Sequence, residues 1–226
     1  MGEKNHLFDK QAVNHQEVIK DLVRESSPRR TFLMMIFISS VIATLGLLNE
    51  SIAIVIGAML VAPLLWPLLG VSMSIVVVDW RMMKLAFASI FFSVAVAVTT
   101  ATVITLFYTP LGADLEIVRE SRYGFMALVA VGAGAAAAFA LCYEHIKEAV
   151  AGVAISVALL PPLVGIGIGL GGTDWSIMRH SATIFLMNVT GIVTVSLFIF
   201  FLLGFHRYRK VAVQAVKKEE KILQTD

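Results

Sequence analysis

Gly57-Ala-Met-Leu-Val-Ala-Pro63-Leu64-Leu65-Trp-Pro67-Leu68-Leu-Gly70 returns 95 positions later as Gly152-Val-Ala-Ile-Ser-Val-Ala-Leu159-Leu160-Pro161-Pro162-Leu163-Val-Gly165. Placed without gaps, Gly57 falls on Gly152, Leu64 and Leu65 on Leu159 and Leu160, Pro67 on Pro162, Leu68 on Leu163 and Gly70 on Gly165. The match continues past the apolar run: Asp79-Trp80 falls on Asp174-Trp175, Met83 on Met178 and Lys84 on Arg179, a D-W-x-x-M-[KR] signature that occurs twice. The repeated pieces are apolar enough to be membrane spans, so the chain reads as an internal duplication. Three spans separate equivalent points. An odd number makes the second copy enter the membrane from the opposite side, the inverted-repeat plan of many secondary transporters.

Composition agrees with a membrane-embedded chain. Hydrophobic residues make up 58% and charged residues 15% of the 226, a balance that a soluble domain of this size does not need. Stretches free of Asp, Glu, Lys and Arg run from Thr31 to Asn49, Ser51 to Val78, Leu85 to Ala113, Tyr123 to Tyr143, Ala149 to Thr173 and His180 to Phe205. Each exceeds the roughly 17 to 20 residues that cross a bilayer core as a helix. The runs are continuous rather than alternating, which selects helices over barrel strands. The expected fold is therefore all-α and integral to the membrane: six transmembrane helices in two inverted three-helix repeats, helices two and five broken or kinked at proline. Its parts are an amphipathic cytoplasmic arm over residues 1–30, a membrane domain over 31–204 with repeats at about 31–108 and 126–203, and a basic cytoplasmic tail over 205–226.

Charge distribution sets the orientation. Of 18 Lys and Arg, only Arg119, Arg122 and Arg179 fall in the loops that alternate with the N-terminal side. By the positive-inside rule both termini are cytoplasmic, at the plasma membrane. No short apolar core with a small-residue cleavage site opens the chain, so no cleavable signal peptide is expected. Val13, Val18, Ile19, Leu22 and Val23 alternate with charges over Gln11 to Glu25, the pattern of an amphipathic helix near the membrane surface. The tail carries Arg207, Arg209, Lys210, Lys217, Lys218 and Lys221, which anionic lipid at the cytoplasmic face would attract.

Proline and glycine mark the candidate site. Pro63 and Pro67 interrupt the second span, and Pro161-Pro162 followed by Gly165 and Gly167 interrupt the fifth. Proline removes a backbone donor where water is scarce, and such paired interruptions point to a midplane binding site. Simple kinks healed by neighbouring helices are the plainer reading. Asn49 and Ser51 suit capping of the second span, while Glu50 suits either that turn or a charge that concentrates cations at a mouth. Ser93 and its repeat partner Asn188 either bridge helices or line a wet path. Asp79 and Asp174, each beside tryptophan, cap the following helix or latch two gates. Gly132, Gly134, Ala135 and Ala136 offer a face without bulk for close helix packing or assembly of copies.

Two stretches, Asn49 to Leu64 and Gly152 to Leu170, resemble the signatures of an uncharacterised bacterial and archaeal membrane family, domain of unknown function 389. The resemblance covers roughly Thr31 to Leu203 and implies the membrane core without implying an activity. Many members are similar to this core with a soluble domain in front, where this chain has a thirty-residue arm.

Enzyme signatures are missing: no H-E-x-x-H, G-x-S-x-G or P-loop occurs. Cys142 is the single cysteine, which removes disulfide, multi-cysteine metal and redox readings. No cofactor and no nucleic acid is expected, because topology already accounts for the basic clusters. The expected function is transport: a transporter or channel for a small ion or solute, working as a homo-oligomer, with its site at the interrupted helices. The alternative is a non-transporting membrane scaffold or regulatory protein, also homo-oligomeric.

Overall fold

The computed structural model describes residues 13–108, 123–143 and 153–223. Among these the chain is helical, with α1 at His15–Glu25, α2 at Arg30–Leu48, α3 at Ile52–Val61, α4 at Leu65–Val77, α5 at Trp80–Tyr108 and α6 at Tyr123–Cys142. α7 follows at Val153–Gly171, α8 at Trp175–Leu202, a 3₁₀ turn at Phe205–Tyr208 and α9 at Arg209–Leu223. α2, α5 and α8 are each long and apolar enough to cross a bilayer, and α3 with α4 makes a fourth if the bent pair is one span. At 29 residues α5 is about 43 Å long.

The distribution of side chains is that of a helix bundle with a bulky apolar outer surface. α5 turns Ser89, Ser93, Ala97, Ala101 and Thr105 inward at four-residue spacing and leaves Phe87, Phe91, Val103 and Phe107 outside. α8 does the same, burying Ser181, Asn188 and Ser196 while Leu186 and Phe198 face out. Small and hydroxyl residues at helix crossings with bulky apolar residues outside are how helices associate where lipid removes the hydrophobic drive.

The duplication is repeated in the backbone. Val78 and Thr173, partners in the repeat, both stand in the left-handed region, with φ of 54° and 57°. Val78 N–H donates to Ile75 O and Asp79 N–H to Ser74 O, while Thr173 N–H donates to Leu170 O and Asp174 N–H to Gly169 O. These are two copies of one Schellman ending. Each Asp then caps the next helix, Asp79 Oδ1 accepting from Met82 N–H at 2.8 Å and Asp174 Oδ1 from Ser176 and Ile177 N–H at 2.8 and 3.1 Å. The packing crosses between copies: α4 lies on α8, and α5 on α7.

The interruptions differ between copies. α3 and α4 meet at 49° across a short gap holding Pro63. Ala62, just before that proline, is extended with φ −76° and ψ 116°, the region into which a following proline pushes its neighbour. Pro67 sits in the first turn of α4, where a missing N–H costs nothing. In the second copy the expected break is absent, and α7 runs through Pro161 and Pro162 as one helix. Ala158 stands there in place of Pro63, although Pro161 and Pro162 still withdraw two donors from the interior of α7.

The arm and tail pair with each other. α1 buries Val18, Ile19, Leu22 and Val23 against α9 and α4, so its apolar face is spent on protein and not on a membrane surface. Arg29 grips Glu219 through two nitrogens at 2.7 Å each, and Glu219 is buried. Arg29→Ala is expected to cost about 3 kcal/mol by leaving that carboxylate unpaired. Faster hydrogen exchange confined to α1 and α9 would report it.

Candidate functional site

Four helices, α4, α5, α7 and α8, meet at the centre, and hydroxyl-to-carbonyl contacts join them. Ser72 Oγ on α4 donates to Val193 O on α8 at 3.1 Å, or to its own Leu68 O at 3.2 Å. The repeat partner of Ser72 is Gly167 and that of Val193 is Val98. A Cβ on Gly167 would stand 2.5 Å from Val98 O. One crossing carries a serine and the other a glycine, at the same place in each copy. Thr102 Oγ1 on α5 lies 2.8 Å from Val98 O and 3.1 Å from Gly167 O, tying α5 to α7.

A second matched pair lies within one turn of the first. Gly70 in α4 is covered by Ser26 and Ala86, and its partner Gly165 in α7 by Ser181. The partner of Ser181 is Ala86, so the two copies obtain a hydroxyl at this spot from different sources. In the second copy it belongs to α8. In the first it comes from the arm, where Ser26 Oγ donates to Trp66 O at 2.8 Å and Ser89 Oγ donates to Ser26 O at 2.6 Å. The Ser181 hydroxyl is fully buried and, among the described residues, has no hydrogen-bond partner.

Several sequence candidates gather here. Ser93 and Asn188 are buried on α5 and α8, Ser93 donating to its own Ser89 O at 2.7 Å. Pro67, Pro162, Gly165 and Gly167 are buried, and Pro63 and Pro161 half-buried. Gly165 and Gly167 are close-approach positions within a continuous helix, not part of an interruption.

Others lie elsewhere. Gly57 is exposed on α3, with nothing among the described residues within 4 Å of a Cβ there. Asn49 and Glu50 are exposed at the α2–α3 corner with Ser51 half-buried beside them. Asn49 caps the end of α2, Nδ2 donating to Leu45 O at 2.7 Å, and Ser51 makes no side-chain cap, because Glu50 at φ 52° closes the turn through the backbone. Gly134 seats on Ile192 of α8, its Cβ position 2.7 Å from the Ile192 Cα, with Ala135 and Ala136 half-buried alongside. The small face of α6 is thus used inside the chain, and Gly132 alone of the four stands open. Gly152, the 109–122 loop and Glu144-His145 lie outside the described residues.

The sequence reading missed Ser26, Ser72, Thr102 and Ser181, though the repeat offset pairs Ser72 with Gly167 and so signals a crossing there. It also missed His15. That ring stacks on Tyr208 at 4.5 Å and 8°, tilts against Phe205 at 4.7 Å, and its Nε2 lies 3.0 Å from Leu203 O. A carbonyl only accepts, so Nε2 carries the proton. Asp79 and Glu219 are the buried carboxylates among the described residues, Asp79 at the start of α5 and Glu219 within α9. No group of three or more His, Cys, Asp or Glu is placed there to hold a metal ion. The central chemistry is neutral: hydroxyls, carbonyls and one amide.

The family model described as a domain of unknown function, DUF389, matches residues 59–194. An uncharacterized protein of Methanocaldococcus jannaschii is 30% identical over 211 residues, which is 92% of this chain and 63% of the relative, so the chain spans less than two thirds of that protein's length. No solved structure matches the chain. The matched span takes in the α3–α4 gap, both Asp-Trp corners and the Ser72 and Thr102 crossings, and on that match the chain belongs to the DUF389 family.

Proposed function

We propose that the chain is a six-span, inverted-repeat membrane transporter or channel for a small ion or solute, with its site at the centre of α4, α5, α7 and α8. The observation that carries this is the pair of matched crossings, Ser72 on Val193 and Gly167 on Val98, by which each copy completes the other. In transporters so built, the site lies between the repeats near the bilayer midplane. α3 with α4 counts as the second crossing and α7 as the fifth. α1 packs on α9, which puts both ends of the described chain on one side and agrees with an even number of crossings. The Lys and Arg bias makes that side cytoplasmic. The open α6 face, with Leu128, Val131 and Gly132 exposed, is the surface for a second copy.

Neutral ligands at the centre favour a small cation shedding part of its water, or a small polar solute, over an anion. The scaffold reading rests on how closely Gly167 meets α5, which leaves no gap at that crossing. Single cysteines at Pro63, Ser72, Ser181 and Asn188, made after Cys142 is replaced, separate the two. Transport requires that several react with a membrane-impermeant thiol reagent and that a permeating ion or solute slows the reaction. Four unreactive positions in folded protein would leave the scaffold standing.

A further inference from the structure

We propose that the cleft between the start of α5 and α9 binds the phosphate headgroup of an anionic phospholipid. The cleft has a volume of about 510 Å³ and is lined by Arg81, Gln214, Lys217, Lys218, Glu220 and Lys221. Four cations face one carboxylate, a net charge of +3. That carboxylate, Glu220, is held to Arg81 Nη1 at 3.4 Å. The excess positive charge sits on donors that phosphate oxygens accept from well.

Its position selects a lipid over a soluble anion. Trp80, 65% exposed, opens α5 at the level where tryptophans mark the bilayer interface. Lys84 Nζ lies 5.9 Å from the centre of the Trp80 ring. Trp80, Lys84, Phe87 and Phe91 follow at spacings of four, three and four, one stripe of the helix, and all are exposed. The stripe runs about 16 Å away from the cleft, an apolar track for an acyl chain leading from a cationic seat for its headgroup. A free phosphate would use only the seat. The matching corner of the second copy offers Trp175 and Arg179 but, among the described residues, no basic helix beside them, since α9 packs on α5. The site therefore belongs to one leaflet, the cytoplasmic one; this last point rests on the orientation proposed above.

The test uses the full chain purified in mild detergent with an equal mixture of phosphatidylglycerol and phosphatidylcholine, then washed, with retained lipid counted by mass spectrometry. Phosphatidylglycerol is expected to be retained in preference. Arg81→Gln with Lys217→Gln and Lys221→Gln is expected to lower that preference by about tenfold or more. Arg30→Gln with Arg179→Gln, neither of which lines the cleft, should leave it intact. Excess inorganic phosphate should not displace the lipid. Equal retention of both lipids, an unchanged preference in the triple variant, or equal loss in the control pair would overturn the proposal, and displacement by phosphate would reassign the cleft to a soluble anion. Retention in detergent depends neither on sidedness nor on transport, so this result and the thiol experiment fail independently.

Discussion

Gly167→Leu is expected to prevent the membrane core from assembling. A Cβ there would lie 2.5 Å from Val98 O, 2.5 Å from the Ala101 Cβ and 3.1 Å from Thr102 N. Two of these are backbone atoms of α5, so no rotamer change relieves the contact and the two helices must separate. Overpacking usually costs about 1 to 3 kcal/mol, but separation here also breaks the bond from Thr102 to Gly167 O. A loss above about 4 kcal/mol is expected, seen as aggregation in size-exclusion chromatography and no cooperative thermal transition. Gly57→Leu serves as the control, because among the described residues nothing lies within 4 Å of its Cβ position. It should stay within about 0.5 kcal/mol of the parent. A monodisperse Gly167→Leu protein with an ordinary melt would refute the α5–α7 approach.

Ser26→Leu is expected to release the arm while sparing the core. Ser26 is buried, its hydroxyl donates to Trp66 O, its carbonyl accepts from Ser89, and its side chain covers Gly70. Leucine loses the first bond and finds no room over the glycine, a combined cost of about 3 kcal/mol. The arm has somewhere to go, so the cost appears as local opening: protease should cut near residues 26 to 30 while helix content stays close to the parent. Gly70→Ala attacks the same contact from the other side and should give the same cut. Ser26→Ala, which loses only the hydroxyl bond, should show an effect of about 1 kcal/mol. Cleavage of Ser26→Leu and parent at equal rates would mean that the arm is not seated there.

Much of this was legible in the residues because duplication makes a sequence its own comparison. The Asp-Trp corners could be named in advance, since a helix start needs an acceptor and both copies keep the same one. Gly70 and Gly165 stood out as paired, yet their neighbours did not, because one hydroxyl comes from the arm and the other from α8. α1 was legible as amphipathic but not as docked: an apolar stripe of Val18, Ile19, Leu22 and Val23 fits a bilayer surface or a partner helix equally well, and only tertiary contact decides. The continuity of α7 was hidden for a related reason. Proline counts suggested equal interruption, but the effective residue is Pro63, whose counterpart is Ala158. Small residues in α6 announced close packing without saying whether the partner was α8 or another chain. His15 carried no signal, being one imidazole in a polar arm.

The crossing of α4 onto α8 and of α5 onto α7 bears on the order of synthesis. When the ribosome has finished α5, the helices that will complete its inner face do not yet exist, and that face must wait in lipid. Its hydroxyls are provided for in the meantime: Ser93 donates to Ser89 O, Thr102 to Val98 O and Thr105 to Ala101 O, each within α5 itself. A helix that satisfies its own polar groups is stable alone in hydrocarbon. In the membrane arrangement proposed above, the first half would therefore rest as separate helices until its counterpart emerges. Assembly would then follow insertion, with Thr102 extending the contact it already makes to Val98 O onto the newly arrived Gly167 O.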